Sequence, residues 1–532
     1  MKIAPFQFPS RRSVVMARNG MVATSQPLAA LAGLRTLLQG GNAADAAVAT
    51  AAALNVVEPV STGAGGDAFA LTYTARTGDI TALNASGRAP QAQTLAEMQR
   101  RGYTAMPERG ALTITVPGAV AGWADLLRRH GTMSLADALQ PAIELAEQGF
   151  PVTELIAQAW SSLEQDAREV PTLAQTYLID DHAPRPGEVF KNPTLARTLR
   201  AIAEGGPDAF YRGPIAEAIV QVIQAHGGLM TLDDLAAHRS TWDEPIQTDY
   251  RGVTMVECPP NGQGVVALET LNLLEGFELA ALGYATPDYY HHVLEALKLA
   301  FADASAYVAD PRRVSVPTAG LIDKAYAAER RKSIDPQRAA RRAAPGQPRG
   351  GTAYLSIIDQ DRNACSFINS NYWGFGSGLA AAGVALHSRG ALFSLEAGHA
   401  NCIAPGKRPY HTIIPALALK RGQLWMSFGV MGGFVQPQGQ VQVACNLIDF
   451  GMNPQQALDA PRAIWHTGAT VDLEDGIPDA TRLALAGMGH HLLAQDDPAR
   501  YYGGGQIIAI DEESGALLGG SDPRKDGCAL GY

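Results

Sequence analysis

The run Gly350-Gly351-Thr352-Ala353-Tyr354-Leu355-Ser356-Ile357-Ile358-Asp359 concentrates the chemistry of this 532-residue chain. It follows a polar, Pro/Gly/Arg-rich stretch, residues 338–349, that reads as a solvated tether. From Tyr354 to Ile358 the residues become apolar and β-favouring, as in a buried strand. A small residue followed by threonine, where a tether meets a core strand, suits self-cleavage. The Thr352 hydroxyl attacks the Gly351 carbonyl, the peptide becomes an ester, and water releases Thr352 as a new N-terminus. The freed α-amine, with a pKa near ~7.7–8.0, can then act as base for the hydroxyl of the same residue. A Gly-Gly-Thr run also opens ordinary strands, so the decision falls to the rest of the chain.

The elements that must hold Thr352 differ on its two sides. Upstream, residues 28–38 and 43–54 are predicted helices, and residues 68–74 and 80–84 a hairpin around Arg76-Thr77-Gly78-Asp79. Residues 119–240 are mostly helical in pattern, with amphipathic runs at 135–148 and 215–226, and a long helix spans 289–308 before Asp310-Pro311. Downstream the pattern turns to strands at 355–358, 364–368, 413–419 and 424–428, then to helices at 437–450 and 454–460. The mixture predicts an α+β architecture in which two sheets lie between helices, with both segments in one layered domain. The tether is then a processing site inside that domain.

Composition narrows the classes. With 46% hydrophobic and 18% charged residues the chain is globular, and a net charge of −10 spread along it speaks against a nucleic-acid partner. Cys258, Cys365, Cys402, Cys445 and Cys528 are odd in number and form no C-x-x-C pair, so neither a disulfide framework nor a zinc site is expected. Cys365 falls inside a predicted strand and reads as core. His387 and His411 have no carboxylate or Cys at ligand spacing, which favours polar roles over a metal. Residues 1–20 hold Arg11-Arg12 without an apolar stretch after them, and no run of about 18 apolar residues marks a membrane span. The expectation is a soluble cytoplasmic protein with no membrane partner.

Eight segments, read together and in order, resemble the gamma-glutamyltranspeptidase family of N-terminal-nucleophile hydrolases: Gly40-Gly41-Asn42-Ala43-Ala44-Asp45-Ala46, Gly63-Ala64-Gly65-Gly66-Asp67-Ala68-Phe69, Val116-Pro117-Gly118, Thr352-Ala353-Tyr354-Leu355-Ser356, Phe375-Gly376-Ser377-Gly378, Pro405-Gly406-Lys407-Arg408-Pro409, Gly432-Gly433 and Ser521-Asp522-Pro523-Arg524. The resemblance implies a four-layer αββα sandwich and no cofactor. It also implies a chain cut between Gly351 and Thr352 into a large subunit, 1–351, and a small one, 352–532, that stay associated as one domain. A homodimer of such processed heterodimers is compatible with it. By the same resemblance Thr352 is the nucleophile, Ser370 stands where a family threonine bonds to it, and Gly432 and Gly433 are the backbone donors of an oxyanion hole.

Departures from the family pattern bear on substrate. Members acting on glutathione hold the glutamate α-carboxylate with an Arg in a Phe-Arg-Glu-Met-Ala-Pro run; here it reads Ala85-Ser86-Gly87-Arg88-Ala89-Pro90. A family Asn falls at Tyr372, and a Ser-Ser pair at His411-Thr412. The acidic pair that receives the substrate α-amine falls at Ala391-Leu392, which cannot accept from an ammonium. Residues 393–407 are too few for the family's lid loop. An ammonium buried without an acceptor is costly, so these changes oppose a free α-amino acid as the acyl group. A carboxylate can still be held, with Arg88 and Arg389 as bidentate candidates and Tyr372, His411 and Thr412 as further donors. Asp67 and Glu396 are the acidic residues left to receive an amine.

Residues 405–415 and 429–439 carry the pattern of a divergent branch that resembles oxamate amidohydrolases and gamma-glutamyltransferase-like proteins. The leading expectation is a self-cleaving amidohydrolase acting on a small carboxylate-bearing amide, with oxamate favoured. The alternatives are a glutathione hydrolase or γ-glutamyltransferase, a glutaryl-type β-lactam acylase, and an uncut relative that binds without catalysis. Self-cleavage is the first test. Scaling 56.1 kDa by 351 and 181 of 532 residues gives fragments of about 37 and 19 kDa on a denaturing gel. Thr352→Ala is expected to leave one uncut band; a wild-type chain that stays whole on long incubation would remove the hydrolase reading.

Overall fold

Two antiparallel seven-stranded sheets stacked face to face form the centre of the computed structural model, which describes residues 12–341, 351–494, 496–497 and 501–532, with backbone alone at 351–353. In chain order their strands are β1 (Val15–Ala17), β2 (Met21–Thr24), β3 (Asp67–Thr74), β4 (Asp79–Asn84), β5 (Thr241–Asp243), β6 (Ile246–Tyr250), β7 (Val253–Glu257), β8 (Gly351–Ile358), β9 (Ala364–Tyr372), β10 (Ala416–Lys420), β11 (Gln423–Met431), β12 (Gly504–Ile510), β13 (Leu517–Ser521) and β14 (Cys528–Gly531). One sheet runs β14-β2-β8-β9-β3-β4-β5 and the other β1-β13-β12-β11-β10-β7-β6. Strands from both sides of residue 352 are interleaved in each.

Side-chain alternation explains why these strands read as continuous apolar runs. In β8, Tyr354 and Ile358 point into the layer between the sheets, while Leu355 and Ile357 join the helix-covered core on the other face. Both faces are covered, so both sets of positions are apolar. Helices α1 (Pro27–Leu38), α2 (Ala43–Val57), α3 (Ala119–His130) and α4 (Leu135–Gln148) cover the first sheet. Helices α5 (Gly264–Leu274), α6 (Pro287–Tyr307) and α7 (Val435–Ile448) cover the second. The result is the αββα sandwich that the resemblance implied.

The helix α2 is buried at every residue, which is why alanine dominates it. Its start is a capping box of Asn42 and Asp45, and the Asp45 carboxylate also accepts from the amides of Thr132 and Met133, 2.9 and 3.0 Å away, ahead of α4. The Gly-Gly-Asn-Ala-Ala-Asp segment is thus a structural joint. The helix expected at 135–148 is found with those bounds, whereas the strand expected at 364–368 continues to Tyr372 and so includes Ser370. The strand expected from 413 begins only at Ala416, because Pro415 has no amide for the ladder; His411 and Thr412 stay in a loop.

Register brings one set of strand ends together. Gly351 pairs with Tyr372 and Ser370 with Asp67. Across the sandwich the Ser356 hydroxyl donates to the Ser427 carbonyl at 3.1 Å, and a Cβ on Gly429 would come within 2.7 Å of the Tyr354 ring. Each step of two along β8 is a step of two along β11. That progression carries the start of β8 towards Met431, the last residue before Gly432-Gly433.

Candidate active site

Asp67, at the first position of β3, is the hub of this strand-end cluster. Its carboxylate accepts from Arg389 Nε at 2.8 Å and Nη2 at 3.1 Å, and from His411 Nε2 at 2.7 Å, while His387 Nδ1 stands 3.3 Å away. All four side chains have zero exposure, and Arg389 Nη1 donates to the Thr412 hydroxyl at 2.8 Å. Burial pushes the Asp67 carboxyl up, but the Arg389 guanidinium and the two histidines outweigh it and hold it well below the usual carboxylate range. Burial, then the Arg389 charge, hold His411 down to about 3 against the pull of Asp67. His411 is therefore neutral near pH 7. Its Nε2–H donates to Asp67 and its Nδ1 accepts from the Ile413 amide at 3.3 Å, which fixes the tautomer.

This geometry corrects the expectation that Arg389 reaches a substrate carboxylate: its guanidinium is already spent on Asp67 and Thr412. It also removes Asp67 as a receptor for an amine. Arg389 instead lies over the Tyr372 ring, 4.8 Å from guanidinium carbon to centroid. Tyr372 sits at φ 74°, a left-handed conformation that a bulky residue adopts only when its surroundings impose it. Its amide donates to the Ser370 hydroxyl at 3.0 Å. From Gly351 to Ala353, β8 takes two steps while its partners on β9, Tyr372 and Asn369, are three apart, so the bulge lies at Ser370-Asn371, opposite Thr352. Backbone register thus places Ser370 beside Thr352. The Thr352 side chain lies outside the described residues, as do residues 342–349 of the expected tether and Gly350.

Gly432 and Gly433 have φ of 131° and 60°, values that favour glycine, at the turn from β11 into α7. The Gly432 carbonyl accepts from the Val435 amide at 3.0 Å. Because a trans peptide sets C=O and N–H on opposite sides, the Gly433 N–H faces away from the helix. Gln263, which the sequence reading missed, braces this turn: its side-chain amide donates to the carbonyls of Thr412 and Gly433 at 2.8 and 2.9 Å, and its oxygen accepts from Tyr410 Oη at 3.0 Å. The only prior signal was its place in a Gly-Gln-Gly turn.

Tyr410 and Phe434 continue into a cavity of about 200 Å³. Leu392, Phe393, Phe301 and Val308 give it an apolar wall, and Ser394 and His399 add polar groups. Leu392 is one of the two residues at the place of the family's acidic pair. Arg88 is not brought to this cluster: its guanidinium donates to the Arg239 carbonyl at 3.1 Å and lines a separate cavity with His238 and Asp233. The reason is local, since the Val116 amide bonds to the Arg88 carbonyl and turns that run away from Asp67. Lys407 and Arg408 are also structural, the first donating to the carbonyls of Ala400 and Cys402 and the second to those of Ser86 and Asn84. Asp522 and Arg524 of the tail pair with Arg462 and Glu474 respectively. Cys365 is buried and unpaired.

Sandwich, strand-end cluster and glycine turn define an amide-hydrolysing enzyme of the N-terminal-nucleophile class, a definition that known structures bear out. The solved structure of a cephalosporin acylase from Bacillus halodurans superposes with a TM-score of 0.93 at 46% identity, over 100% of this chain and 99% of that one. The Gamma-glutamyltranspeptidase family profile matches residues 29–532, and the chain belongs to that family. Among curated relatives, a glutathione hydrolase-like YwrD proenzyme of Bacillus subtilis is 39% identical, covering 97% of this chain and 99% of its own length. An oxamate amidohydrolase proenzyme of Klebsiella pneumoniae is 36% identical over 97% and 99%. Among the described residues no helix is long and apolar enough to cross a membrane.

Two outcomes test the hub. Asp67→Asn leaves the Arg389 charge buried without its partner and is expected to cost ~3–5 kcal/mol of stability, read by denaturant unfolding. His411 titrates near ~6.5 when unfolded but at about 3 in the fold, so the unfolded chain binds the extra proton between those values. Its stabilising effect is complete above pH ~6.5 and declines as pH falls, by up to ~1.4 kcal/mol per unit. Asp67, depressed instead, loses its share only below about pH 4. His411→Gln should flatten the fall in stability between pH 6.5 and 4.5 by about one proton; an unchanged slope would place the imidazole in water.

Proposed function

We propose that the protein is a self-processing amidohydrolase whose acyl substrate lacks a free α-amino group and extends into the apolar cavity beside Gly433. The observation that carries this is the pairing of that cavity with a fully committed Asp67. The wall at Ala391-Leu392 has no acceptor for an ammonium, and the buried carboxylate nearby is already bound by Arg389. The proenzyme names of relatives and the acylase fold of a solved neighbour support the same reading. A two-carbon oxamyl group would leave most of a cavity of about 200 Å³ empty. A longer acyl chain of the glutaryl kind fills it, with Ser394 and His399 as partners for a distal carboxylate. This reading therefore moves from oxamate towards the acylase alternative.

In the proposed mechanism the Gly351–Thr352 bond is cut first. The Thr352 hydroxyl then attacks the substrate carbonyl while its α-amine takes the proton and returns it to the leaving amine. The Gly433 N–H, supported by Gly432, receives the developing oxyanion; one such donor is typically worth ~10²–10³ in rate. Ser370 positions the nucleophile from the bulge opposite it. Water then hydrolyses the Thr352 ester.

An anilide panel tests this. Glutaryl anilide is expected to match or exceed γ-glutamyl anilide in kcat/KM, or to lie within about tenfold, ~1.4 kcal/mol of transition-state binding. Oxamate is expected to be the poorest substrate of the set. A thousandfold preference for the γ-glutamyl compound would overturn the reading and return the glutathione hydrolase assignment to the lead.

A further inference from the structure

A second polar cluster is buried outside the Asp67 hub. His291, Glu295 and Lys298 on α6 and His490 after the Asp479–Gly487 helix are each at most 3% exposed. Lys298 Nζ donates to Glu295 Oε1 at 2.6 Å and to the Ala340 carbonyl at 3.2 Å. The other Glu295 oxygen accepts from the Ala340 amide at 3.1 Å. One buried ion pair thus holds both polar groups of a single peptide residue. His291 Nε2 donates to the Asp335 carbonyl at 2.7 Å, so its Nδ1 accepts from His490 Nε2 at 2.9 Å. The Ala339 amide donates to the Met488 carbonyl at 2.8 Å.

His291, Glu295 and His490 have ligand atoms within 4.8 Å of one another, the spacing of a metal site. The Lys298 ammonium, however, sits on the only carboxylate of the three. Burial, then the Lys298 charge, hold His490 down to about 3, so its imidazole is neutral and adds no second cation beside Lys298. What the cluster binds is the chain itself, at Asp335 and Ala340, upstream of the Gly351–Thr352 bond. A buried ion pair gives little net stability that apolar residues of the same shape would not. It does give fixed position to the peptide it bonds.

We propose that Glu295 and Lys298, supported by His291 and His490, are positioning residues for self-processing, fixing the upstream end of the segment that presents the Gly351 carbonyl to Thr352. This rests on the cut proposed above. In that step the Thr352 Oγ–C bond forms, the Gly351 C–N bond breaks, and the hydroxyl proton goes to the departing amine; water then cleaves the ester to leave Gly351 as a carboxylate. With the clamp intact, eleven residues, 341–351, separate Ala340 from Thr352; with residues 335–340 released as well, seventeen do. The attacking hydroxyl and the Gly351 carbonyl belong to adjacent residues, so the clamp acts by narrowing the orientations of the scissile peptide; extra chain length dilutes these only slowly, an effect of about twofold.

The test follows conversion of freshly made full-length precursor by gel and intact mass. Lys298→Met is expected to slow conversion about two- to fivefold, while kcat/KM per mole of cut enzyme stays within twofold of wild type. Glu295→Gln, which keeps the shape and loses the charge, is read the same way and decides the matter if Lys298→Met fails to fold. Conversion at the wild-type rate in the variants overturns the inference, as does an equal loss in conversion, turnover and Tm, which would mark a merely structural pair. If wild type does not convert at all, the proposed cut itself fails, and that outcome is distinct from both.

Discussion

The Asp67–Arg389 pair is the constraint on which the rest of the site depends. Two opposite charges with zero exposure are costly to bury, and they are held by their bonds to each other, to His411 and to Thr412. Meeting them recruits four separate pieces of chain: the start of β3, the turn at Arg389, the His411-Thr412 loop and, under the guanidinium, Tyr372 at the end of β9. None of these pieces can move without stranding a charge. Tyr372, at its positive φ, pairs with Gly351, and the bulge at Ser370-Asn371 lies opposite Thr352, so both sides of the scissile bond face backbone that this pairing braces.

Much of the architecture was legible because its causes are local. The capping box at Asn42, the Pro27 and Pro287 helix starts and the apolar strands each announce themselves within a few residues. Thr352, Ser370 and the double glycine are proposed for the site on a similar ground, their place in ordered motifs, and backbone register brings Ser370 opposite Thr352. What sequence could not show was how charges 322 residues apart would choose partners. Arg389 reads as a free guanidinium in sequence because Asp67 is distant; the bridge of Gly65 to Leu386 and the His387 amide is what brings the two together. Arg88 was drawn to the site by its place in a family run, and the backbone bond to Val116 turns it elsewhere. Gln263 carries only the weak signal of its Gly-Gln-Gly turn, because bracing two carbonyls requires no recognisable spacing.

The motifs that mark the family are, for the most part, joints. Asp45 ties two helices, Arg408 and Lys407 fasten a loop to neighbouring carbonyls, and Asp522 and Arg524 lock the tail. The residues that differ from the glutathione-hydrolysing pattern, by contrast, cluster at the cavity and at the Asp67 hub. Scaffold and specificity are therefore carried by separate residues, which accounts for chains alike over nearly their full length bearing different substrate names.

Interleaving of strands from both sides of residue 352 has a consequence for the life of the mature protein. Once cut, neither piece alone can complete a sheet: β8 would lose β2, and β10 would lose β7. Separated halves would expose long strand edges that pair with anything available, so loss of the native state would end in aggregates rather than in an equilibrium. Maturation would convert a protein that can be refolded into one that survives by the height of its unfolding barrier alone, with an operational lifetime set by a rate.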